Sequence, residues 1–377
     1  MKCCQSVLVG LLVCVSTAMA EPRAANVILF IGDGMGPEQV RAASYYATGR
    51  ADGLVMHTLP HHGLMTTHSA NNSTTDSAAS ATAFATGVKV NNHVISVQRP
   101  GDGHDLPTIL EHFKQRGALT GLVTTDSLLG ATPAGFSAHQ EHRNMILPIA
   151  ADILRKTQPN VMFGGGGAGM NAEAAKNFGY TVATTREQLI NLFKTDDQTP
   201  HLAGIFGGGR FDYYHRKPQQ YVSNYPRLYE MTAQALAVLS RSEKGFFLMV
   251  ESALIDKSGH SQRLDDDALR TRCNITETLE LDKAVHVAVD FARVHPDTLI
   301  IVTADHECGD LHITQTGSAG QWPTVRWGRK DHTGIPVPIF ATGPDAERCA
   351  PKTDNAEVFN IMAESAGLDI AAPAATR

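Results

Sequence analysis

The sequence lacks several features that would place it in other classes of protein. It has no excess of positive charge, because 38 Asp and Glu outnumber 32 Lys and Arg, so no basic face for nucleic acid is predicted. It has no apolar run long enough for an ordinary membrane anchor. It also has no Cys-x-x-Cys pair, which argues against thiolate metal ligands. What remains is a 377-residue chain, 42% hydrophobic and 19% charged, with ample material for a large buried core.

The first twenty residues have the pattern of a secretory signal peptide. Lys2 is the only early charge, an apolar run follows at residues 7–15, and Ala18-Met19-Ala20 supplies a small-x-small cleavage site. We therefore expect residues 1–20 to be removed, leaving a mature chain of residues 21–377. The predicted location is secreted or periplasmic, and the signal does not choose between the two.

Three cysteines remain after this cleavage: Cys273, Cys308 and Cys349. An odd number permits one disulfide and one free thiol, and the sequence does not choose the pair.

Five apolar, β-rich runs alternate with helical patterns along the mature chain. Each run is too continuously apolar for a half-exposed strand and is typical of a parallel strand buried on both faces. The runs are residues 27–31, 119–124, 246–250, 298–303 and 337–341, and the helical patterns are residues 106–116, 144–156, 227–241 and 276–294. The alternation predicts an α/β fold with a doubly wound, mostly parallel central sheet and helices on both faces.

Two segments interrupt this pattern. The run Gly164-Gly165-Gly166-Gly167 lacks the Lys-Ser/Thr of a phosphate-binding P-loop, so it is interpreted as a tight turn. Residues from about 171 to 226 show weak periodicity and a second glycine run, which predicts an insertion or lid.

The most informative segment, from Thr75 to Thr82, places a serine beside an acid at the start of a helix-prone run of small residues. A serine at a helix N-terminus meets free backbone N–H groups and the positive end of the helix dipole, which bind an anion and favour ionisation of the hydroxyl. Ser77 is therefore a candidate nucleophile for attack on phosphorus. The alternative is that Asp76 or Ser77 only caps the helix.

Acids and histidines recur immediately after the predicted strands. Asp33 follows the first strand, Glu251 the third, and Asp305-His306 the fourth. Ligands of an open α/β sheet bind at the carboxyl ends of its strands. Loops are commonly polar, but that explains one acid better than this whole set, so the set indicates a metal site.

Further candidates complete the set. Asp256 and His260 are four residues apart and share a face of one helical turn, and His332 precedes the last strand. Mixed Asp/His ligation suits Zn²⁺ and all-oxygen ligation suits Mg²⁺, so two zinc sites and one oxygen-rich site are predicted. Arg143 is a candidate for bidentate binding of a phosphoryl group.

These residues stand in motifs through which the chain resembles the alkaline phosphatases over most of its mature length. The motifs are Ile31-Gly32-Asp33-Gly34-Met35-Gly36, Asp76-Ser77-Ala78-Ala79-Ser80-Ala81-Thr82, Ala131-Thr132-Pro133-Ala134, Ala138-His139 with Arg143, Phe246 to Ser252, Ile255 to His260, Thr303-Ala304-Asp305-His306 and His332-Thr333-Gly334. The resemblance implies hydrolysis of phosphate monoesters, with broad specificity, through a phosphoserine intermediate at a site holding two Zn²⁺ and one Mg²⁺. It also implies a homodimer.

Residue by residue, the resemblance implies that Ser77 is the nucleophile and Arg143 binds the phosphate, with Lys257 near the phosphate through water. The implied ligands are Asp256, His260 and His332 for the first zinc, Asp33, Asp305 and His306 for the second, and Asp33, Thr132 and Glu251 for magnesium.

Two departures from the family pattern stand out. Many members carry Asp or His at the position of Gly130, so we expect a weaker Mg²⁺ site, with Lys257 or another group partly compensating. The segment between His306 and His332 is short, which predicts a compact form with a reduced cap and a more open site.

Two other functions compete with this interpretation. A phosphodiesterase or sulfatase on the same scaffold is one, although the Asp76-Ser77-Ala78 setting differs from the Cys/Ser-x-Pro-x-Arg setting of sulfatases. A catalytically inactive phosphate-binding protein is the other, and the intact set of nucleophile, arginine and ligands argues against it. The sequence fixes neither the natural substrate nor the temperature optimum.

Overall fold

A ten-stranded sheet forms the centre of the molecule. The computed structural model describes residues 23–192, 201–368 and 370. The sheet strands are β1 (Asn26–Gly32), β2 (His61–Thr66), β3 (Leu119–Ser127), β4 (Val161–Gly165), β5 (Thr181–Ala183), β6 (Leu202–Ile205), β7 (Phe246–Ser252), β8 (Thr298–Thr303), β13 (Val337–Thr342) and β14 (Lys352–Asp354). Their order is β14-β2-β13-β8-β1-β7-β3-β4-β6-β5. Short strands outside the sheet are β9 (Glu307–Cys308), β10 (Leu311–Gln315), β11 (Thr324–Trp327) and β12 (His332–Thr333).

Helices surround the sheet. They are α1 (Pro37–Thr48), α2 (Ser77–Thr86), α3 (Ile109–Gln115), α4 (Ala131–Ser137), α5 (Ile146–Asp152), α6 (Ala172–Asn177), α7 (Arg186–Leu192), α8 (Pro218–Ser223), α9 (Leu228–Leu239), α10 (Leu254–Gly259), α11 (Asp267–Val294) and α12 (Asn355–Ser365). One group of helices, α1, α9, α10 and α11, packs together, and α2, α3, α4 and α12 form a second group. The central strands β1, β7 and β8 are buried along their whole length, as their continuous apolar sequence predicts. The predicted fold class is confirmed.

One predicted strand direction is wrong. The run at residues 337–341 forms β13, but β13 pairs antiparallel with both β8 and β2 instead of parallel. The chain leaves β8 at the carboxyl edge of the sheet, makes short strand pairs there, and re-enters through β13 without a helical crossover. A strand that begins at the edge where its neighbour ends must run in the opposite direction.

The glycine run was predicted to be a turn, and this is wrong for its first half. Gly164 and Gly165 belong to β4, and the turn follows between Gly167 and Met170. A Cβ atom on Gly165 would lie 1.8 Å from the carbonyl oxygen of Gly209. Glycine is therefore needed for close approach to the second glycine run rather than for turning the chain.

The predicted insertion at about residues 171–226 contributes strands β5 and β6, which extend the sheet beyond β4. That part of the segment belongs to the core of the fold, and a role as a lid stays a prediction. The signal peptide of residues 1–20 lies outside the described residues. Within the described ranges, none of the helices has the length and apolar character needed to cross a bilayer. Cys273, Cys308 and Cys349 are all buried free thiols.

The register of the central strands brings the predicted site residues together. Ile31 near the end of β1 lies opposite both Glu251 on β7 and Thr303 on β8. Because these strands are parallel, the residues that follow them, Asp33 and Asp305, emerge at the same edge of the sheet. The antiparallel pair β9–β12 then folds the segment carrying His332 back over this edge.

A buried acid on α11 predicts how stability depends on pH. Burial raises the pKa of Glu277 from 4.5 to about 8, even though its side chain accepts the backbone N–H of Tyr214 at 2.8 Å. The folded state therefore binds this proton more tightly than the unfolded state, so the free energy of unfolding falls as pH rises between these two values. We expect Glu277→Gln to raise the melting temperature by roughly 3–6 °C at pH 9 and to have little effect at pH 4.

Glu280→Gln is the matched control on the same helix. Glu280 pairs with Arg227, so its loss is expected to lower the melting temperature at pH 9, where Glu277→Gln raises it. Equal effects of Glu277→Gln at pH 4 and pH 9 would contradict the assignment.

Candidate active site

The hydroxyl of Ser77, the first residue of α2, is not needed to cap the helix, because the residue before it does so. Asp76 is the N-cap, and its Oδ1 atom accepts the backbone N–H of Ala79 at 3.1 Å. Ser77 is only 3% exposed, and its Oγ atom lies 3.4 Å from Nε2 of His306. The capping role that the sequence left open between Asp76 and Ser77 therefore belongs to Asp76. The Ser77 hydroxyl faces the acids and histidines at the sheet edge.

Asp76 also holds the arginine in place. Its Oδ2 atom accepts from Nη1 of Arg143 at 2.8 Å and lies 3.1 Å from Nδ1 of His93, whose backbone N–H donates to Oδ1 at 3.0 Å. Burial opposes ionisation of Asp76, but the charge of Arg143 and the hydrogen bonds from His93, Arg143 and Ala79 together outweigh burial and lower the pKa of the carboxyl. Arg143 is thereby anchored beside Ser77. The sequence did not identify His93 as a site residue. Its left-handed backbone (φ 74°) and its contact with Asp76 arise only in the folded structure.

Two histidines converge on one carboxylate oxygen. The Oδ1 atom of Asp256 lies 3.2 Å from Nε2 of His260 and 3.3 Å from Nε2 of His332, and the two nitrogens are 2.9 Å apart. Burial opposes a charge on His332, but the hydrogen bond and charge of Asp256 raise its pKa to about 9. Ligand atoms of this group, with Sγ of Cys308, lie within 4.8 Å of one another. Cys308 was not among the predicted ligands, and its Sγ lies 3.7 Å from the backbone oxygen of Asp256.

A second group lies next to the first. His306 Nε2 lies 3.2 Å from Oδ2 of Asp305 and 3.5 Å from Oδ1 of Asp33. The other oxygen of Asp305 accepts the backbone N–H groups of Gly34 and His306, at 3.1 and 2.9 Å, which fixes the carboxylate. Burial, followed by the charge of Asp256, raises the pKa of Asp33 well above its usual range. A Cβ on Gly34 (φ 76°) would lie 2.7 Å from Cα of Asp256, so glycine permits this close approach.

An oxygen-rich group completes the site. Thr124 donates a short hydrogen bond to Oε2 of the buried Glu251, and burial, followed by the charge of Asp126, raises the pKa of Glu251 to about 7. Burial opposes a charge on Lys257, but the carboxylates around it outweigh burial and raise its pKa well above the ordinary value. Its Nζ atom lies 3.0 Å from Asp256, 3.6 Å from Asp33 and 4.0 Å from Asp126.

The donor set suits cations. Within the described part of the chain, several buried oxygens of this site have no hydrogen-bond partner: Asp33 Oδ1, Thr132 Oγ1 and Asp305 Oδ2. Buried oxygens without partners are costly, and the crowded acids repel one another. Divalent cations relieve both effects, and mixed nitrogen and oxygen donors beside an all-oxygen group fit Zn²⁺ and Mg²⁺.

A cavity of about 590 Å³ opens over Ser77. It is lined mainly by polar side chains, among them Asn72, Asn92, His93, Arg143, Lys257, His260, Gln262, Arg329, Asp331 and His332. Its volume suits a small-molecule ligand, and its polar walls suit an anionic group.

Comparison with known proteins identifies the family. The sequence model described as "Alkaline phosphatase" matches residues 24–322. The alkaline phosphatase of Escherichia coli (strain K12) is 32% identical, with 93% of this chain and 88% of that protein covered. The chain belongs to the alkaline phosphatase family. Among other relatives, the streptomycin-6-phosphate phosphatase of Streptomyces griseus is 32% identical, with 92% and 91% covered.

Solved structures agree with this membership. The alkaline phosphatase of the Antarctic bacterium TAB5 superposes with a TM-score of 0.79 at 26% identity, covering 93% of this chain and all of that one. A cold-active alkaline phosphatase from Shewanella gives 0.78 at 28% identity, covering 90% and 99%. Family and fold together establish this enzyme as a hydrolase of phosphate monoesters, and they imply a divalent metal site at the cluster described above.

Proposed function

We propose that this enzyme transfers the phosphoryl group of a monoester to Ser77 and then to water, at a site holding two Zn²⁺ and one Mg²⁺. One observation carries the proposal: the Ser77 hydroxyl stands at a helix N-terminus, with Arg143 anchored through Asp76 on one side and His306 at 3.4 Å on the other. A hydroxyl, a helix end that can bind an anion and a fixed guanidinium close together support a role for Ser77 as nucleophile.

Three sets of side chains would hold the metals. Asp256, His260 and His332 would hold the first zinc; Asp33, Asp305 and His306 the second; and Asp33, Thr132 and Glu251 the magnesium. Two zinc ions in such a site polarise the phosphoryl group and offset the charge that develops on the attacking and leaving oxygens.

The chain's own residues would perform the following steps. Arg143 binds two phosphoryl oxygens, and backbone N–H groups at the start of α2 face the same anion. Ser77 Oγ gives up its proton to solvent and attacks phosphorus in line; the P–O bond to Ser77 forms, the bond to the departing alkoxide breaks, and the alkoxide takes up a proton from solvent. Water then attacks the phosphoserine from the side opposite Ser77 and loses a proton to solvent; the P–O bond to Ser77 breaks and Ser77 Oγ is protonated again, so two inversions give net retention. Lys257 stands beside Asp33 and Asp256 and would reach the phosphate through water.

Recognition of the phosphate rather than of the organic group favours broad specificity for small-molecule monoesters. The short segment between His306 and His332 contains the β10–β11 hairpin, and a more open site is part of this proposal. Secretion to the periplasm or medium and assembly as a homodimer are part of the same proposal.

The test is an assay of three substrates. An aryl phosphate monoester, the matching diester and the matching sulfate ester are offered to the enzyme before and after treatment with a chelator. We expect rapid hydrolysis of the monoester only, abolished by the chelator and restored by zinc. Preferred hydrolysis of the diester or the sulfate ester would favour the competing activities, and absence of hydrolysis would favour an inactive phosphate-binding protein.

Arg143→Ala is expected to weaken phosphate binding far more than it lowers stability. A hydrogen bond to a charged group contributes about 1.5–3 kcal/mol, so the inhibition constant of inorganic phosphate is expected to rise roughly 10- to 100-fold. Inhibition by phosphate is measured against an aryl phosphate.

Arg99→Ala is the control, because Arg99 also pairs with an acid, Glu141, but is not among the residues that line the cavity. Its inhibition constant is expected to match that of the parent enzyme. An unchanged constant in Arg143→Ala would show that Arg143 does not bind the anion.

A further inference from the structure

Gly130 supplies no side chain to the oxygen-rich group, and the carboxylate of Asp126 lies next to the space that a side chain there would enter. Gly130 is the N-cap of α4, and a Cβ atom built on it would lie 3.5 Å from both Cγ and Oδ2 of Asp126. The carboxylate of Asp126 is therefore in contact with the volume that a side chain at position 130 would enter. Asp126 is the penultimate residue of β3, at the carboxyl edge of the sheet where Asp33 follows β1.

The backbone of Asp126 is tied to the site. Its N–H donates to Oγ1 of Thr124 at 2.8 Å, and Thr124 in turn donates to the carboxylate of Glu251. Its Oδ1 atom accepts the backbone N–H of Ser127 at 2.7 Å. One carboxylate oxygen is thus held by the turn, while the other, Oδ2, faces Lys257 Nζ at 4.0 Å.

We propose that Asp126 is a positioning residue for the magnesium site and takes the part that a side chain at position 130 would otherwise play. Mg²⁺ retains several waters, and those waters need acceptors that orient them. Asp126 Oδ2 accepts from such a water, while Asp33, Thr132 and Glu251 supply the direct ligands. This inference rests on the proposed metal-dependent function.

With Asp126 in this role, the expected effect of a substitution at Gly130 on Mg²⁺ binding is different. A Cβ atom at position 130 would lie 2.9 Å from the backbone oxygen of Ser127, so Gly130→Asp would strain the turn and crowd Asp126. That substitution is expected not to tighten Mg²⁺ binding. Instead, we expect the affinity for Mg²⁺ to depend on Asp126.

The experiment titrates Mg²⁺ into zinc-loaded protein by calorimetry, without substrate. Asp126→Asn keeps the size of the side chain and the acceptor for Ser127, but removes the charge. We expect its dissociation constant for Mg²⁺ to rise about 10- to 100-fold, with unchanged zinc content and melting temperature. Asp212→Asn is the matched control: Asp212 is exposed to the same extent, 22% against 21%, and pairs with Lys217 away from the oxygen-rich group.

Two results would overturn the inference. One is an unchanged dissociation constant for Mg²⁺ in Asp126→Asn. The other is a parallel loss of zinc, magnesium and melting temperature, which would indicate a purely structural role. Because no substrate is present, these results are separate from the proposed function, which fails instead if the unmodified enzyme shows no metal-dependent hydrolysis of monoesters.

A second measurement needs no variant. In a crystal structure of the unmodified protein with Mg²⁺ bound, we expect a water on the ion to donate to Asp126 Oδ2. If none of the waters on the ion contacts Asp126, the inference is wrong even if Asp126→Asn does not fold.

Discussion

Ser77→Ala is expected to lower kcat by more than about 1,000-fold while the protein keeps its fold and its metals. The hydroxyl is the group that attacks phosphorus in the proposed mechanism. The helix itself does not depend on it, because Asp76 supplies the cap through Ala79. The measurements are steady-state turnover of an aryl phosphate, metal content and melting temperature.

Ser80→Ala is the control on the same helix. Ser80 is equally buried, but its hydroxyl donates to the backbone oxygen of Asp305 and accepts from Asn355, so it is already used in packing. We expect this variant to lose some stability and to keep turnover within about tenfold of the parent. A Ser77→Ala enzyme that retains the turnover of Ser80→Ala would rule out Ser77 as nucleophile.

Removal of the metals is expected to lower activity by at least about 100-fold and to lower the melting temperature as well. The activity falls because metal ions supply several kcal/mol of stabilisation to the developing charge. The stability falls because Asp33, Asp256 and Asp305 are fully buried acids that then face one another without a cation. The protein is dialysed against a chelator, and activity and melting temperature are measured before and after zinc is returned.

Asp256→Asn tests how much of the lost activity depends on the first zinc site alone. Its carboxylate lies within 3.3 Å of both His260 and His332, so its loss is expected to remove one zinc per chain and most of the activity. If exhaustive dialysis leaves full activity, or if Asp256→Asn binds as much zinc as the parent, the proposed ligand set is wrong.

The fold was largely predictable because the central strands are buried on both faces. Continuous apolar runs identified β1, β3, β7 and β8 to within a few residues, and burial of whole strands is what such runs indicate. The direction of β13 was not predictable in this way, since an apolar run carries no information about whether its neighbour is parallel. That direction depends on the short connection through β9 and β12, which is a tertiary feature.

The clustering of the candidate site residues was predictable where they stand at the ends of parallel strands. Asp33, Glu251 and Asp305 emerge at one edge because their strands are parallel and adjacent. His93 lies outside the regular elements and Cys308 lies in the short strand β9, and no spacing in the sequence indicates their contacts with the site.

Asp126 is different from these two, because the rule that found Asp33 applies to it. Asp126 follows the predicted run at residues 119–124 by two residues, as Asp33 follows the run at residues 27–31, and in the structure β3 continues to Ser127 and includes this acid.

Mapping the phosphorylated residue tests directly whether Ser77 is the nucleophile. The unmodified enzyme is mixed with a phosphate monoester at low pH, quenched in acid, digested and analysed by peptide mass spectrometry. We expect phosphate on Ser77, in the peptide that contains Asp76 and Ala78, and no phosphate at that site in Ser77→Ala. Phosphate on another residue, or turnover that inverts the configuration at phosphorus, would contradict it.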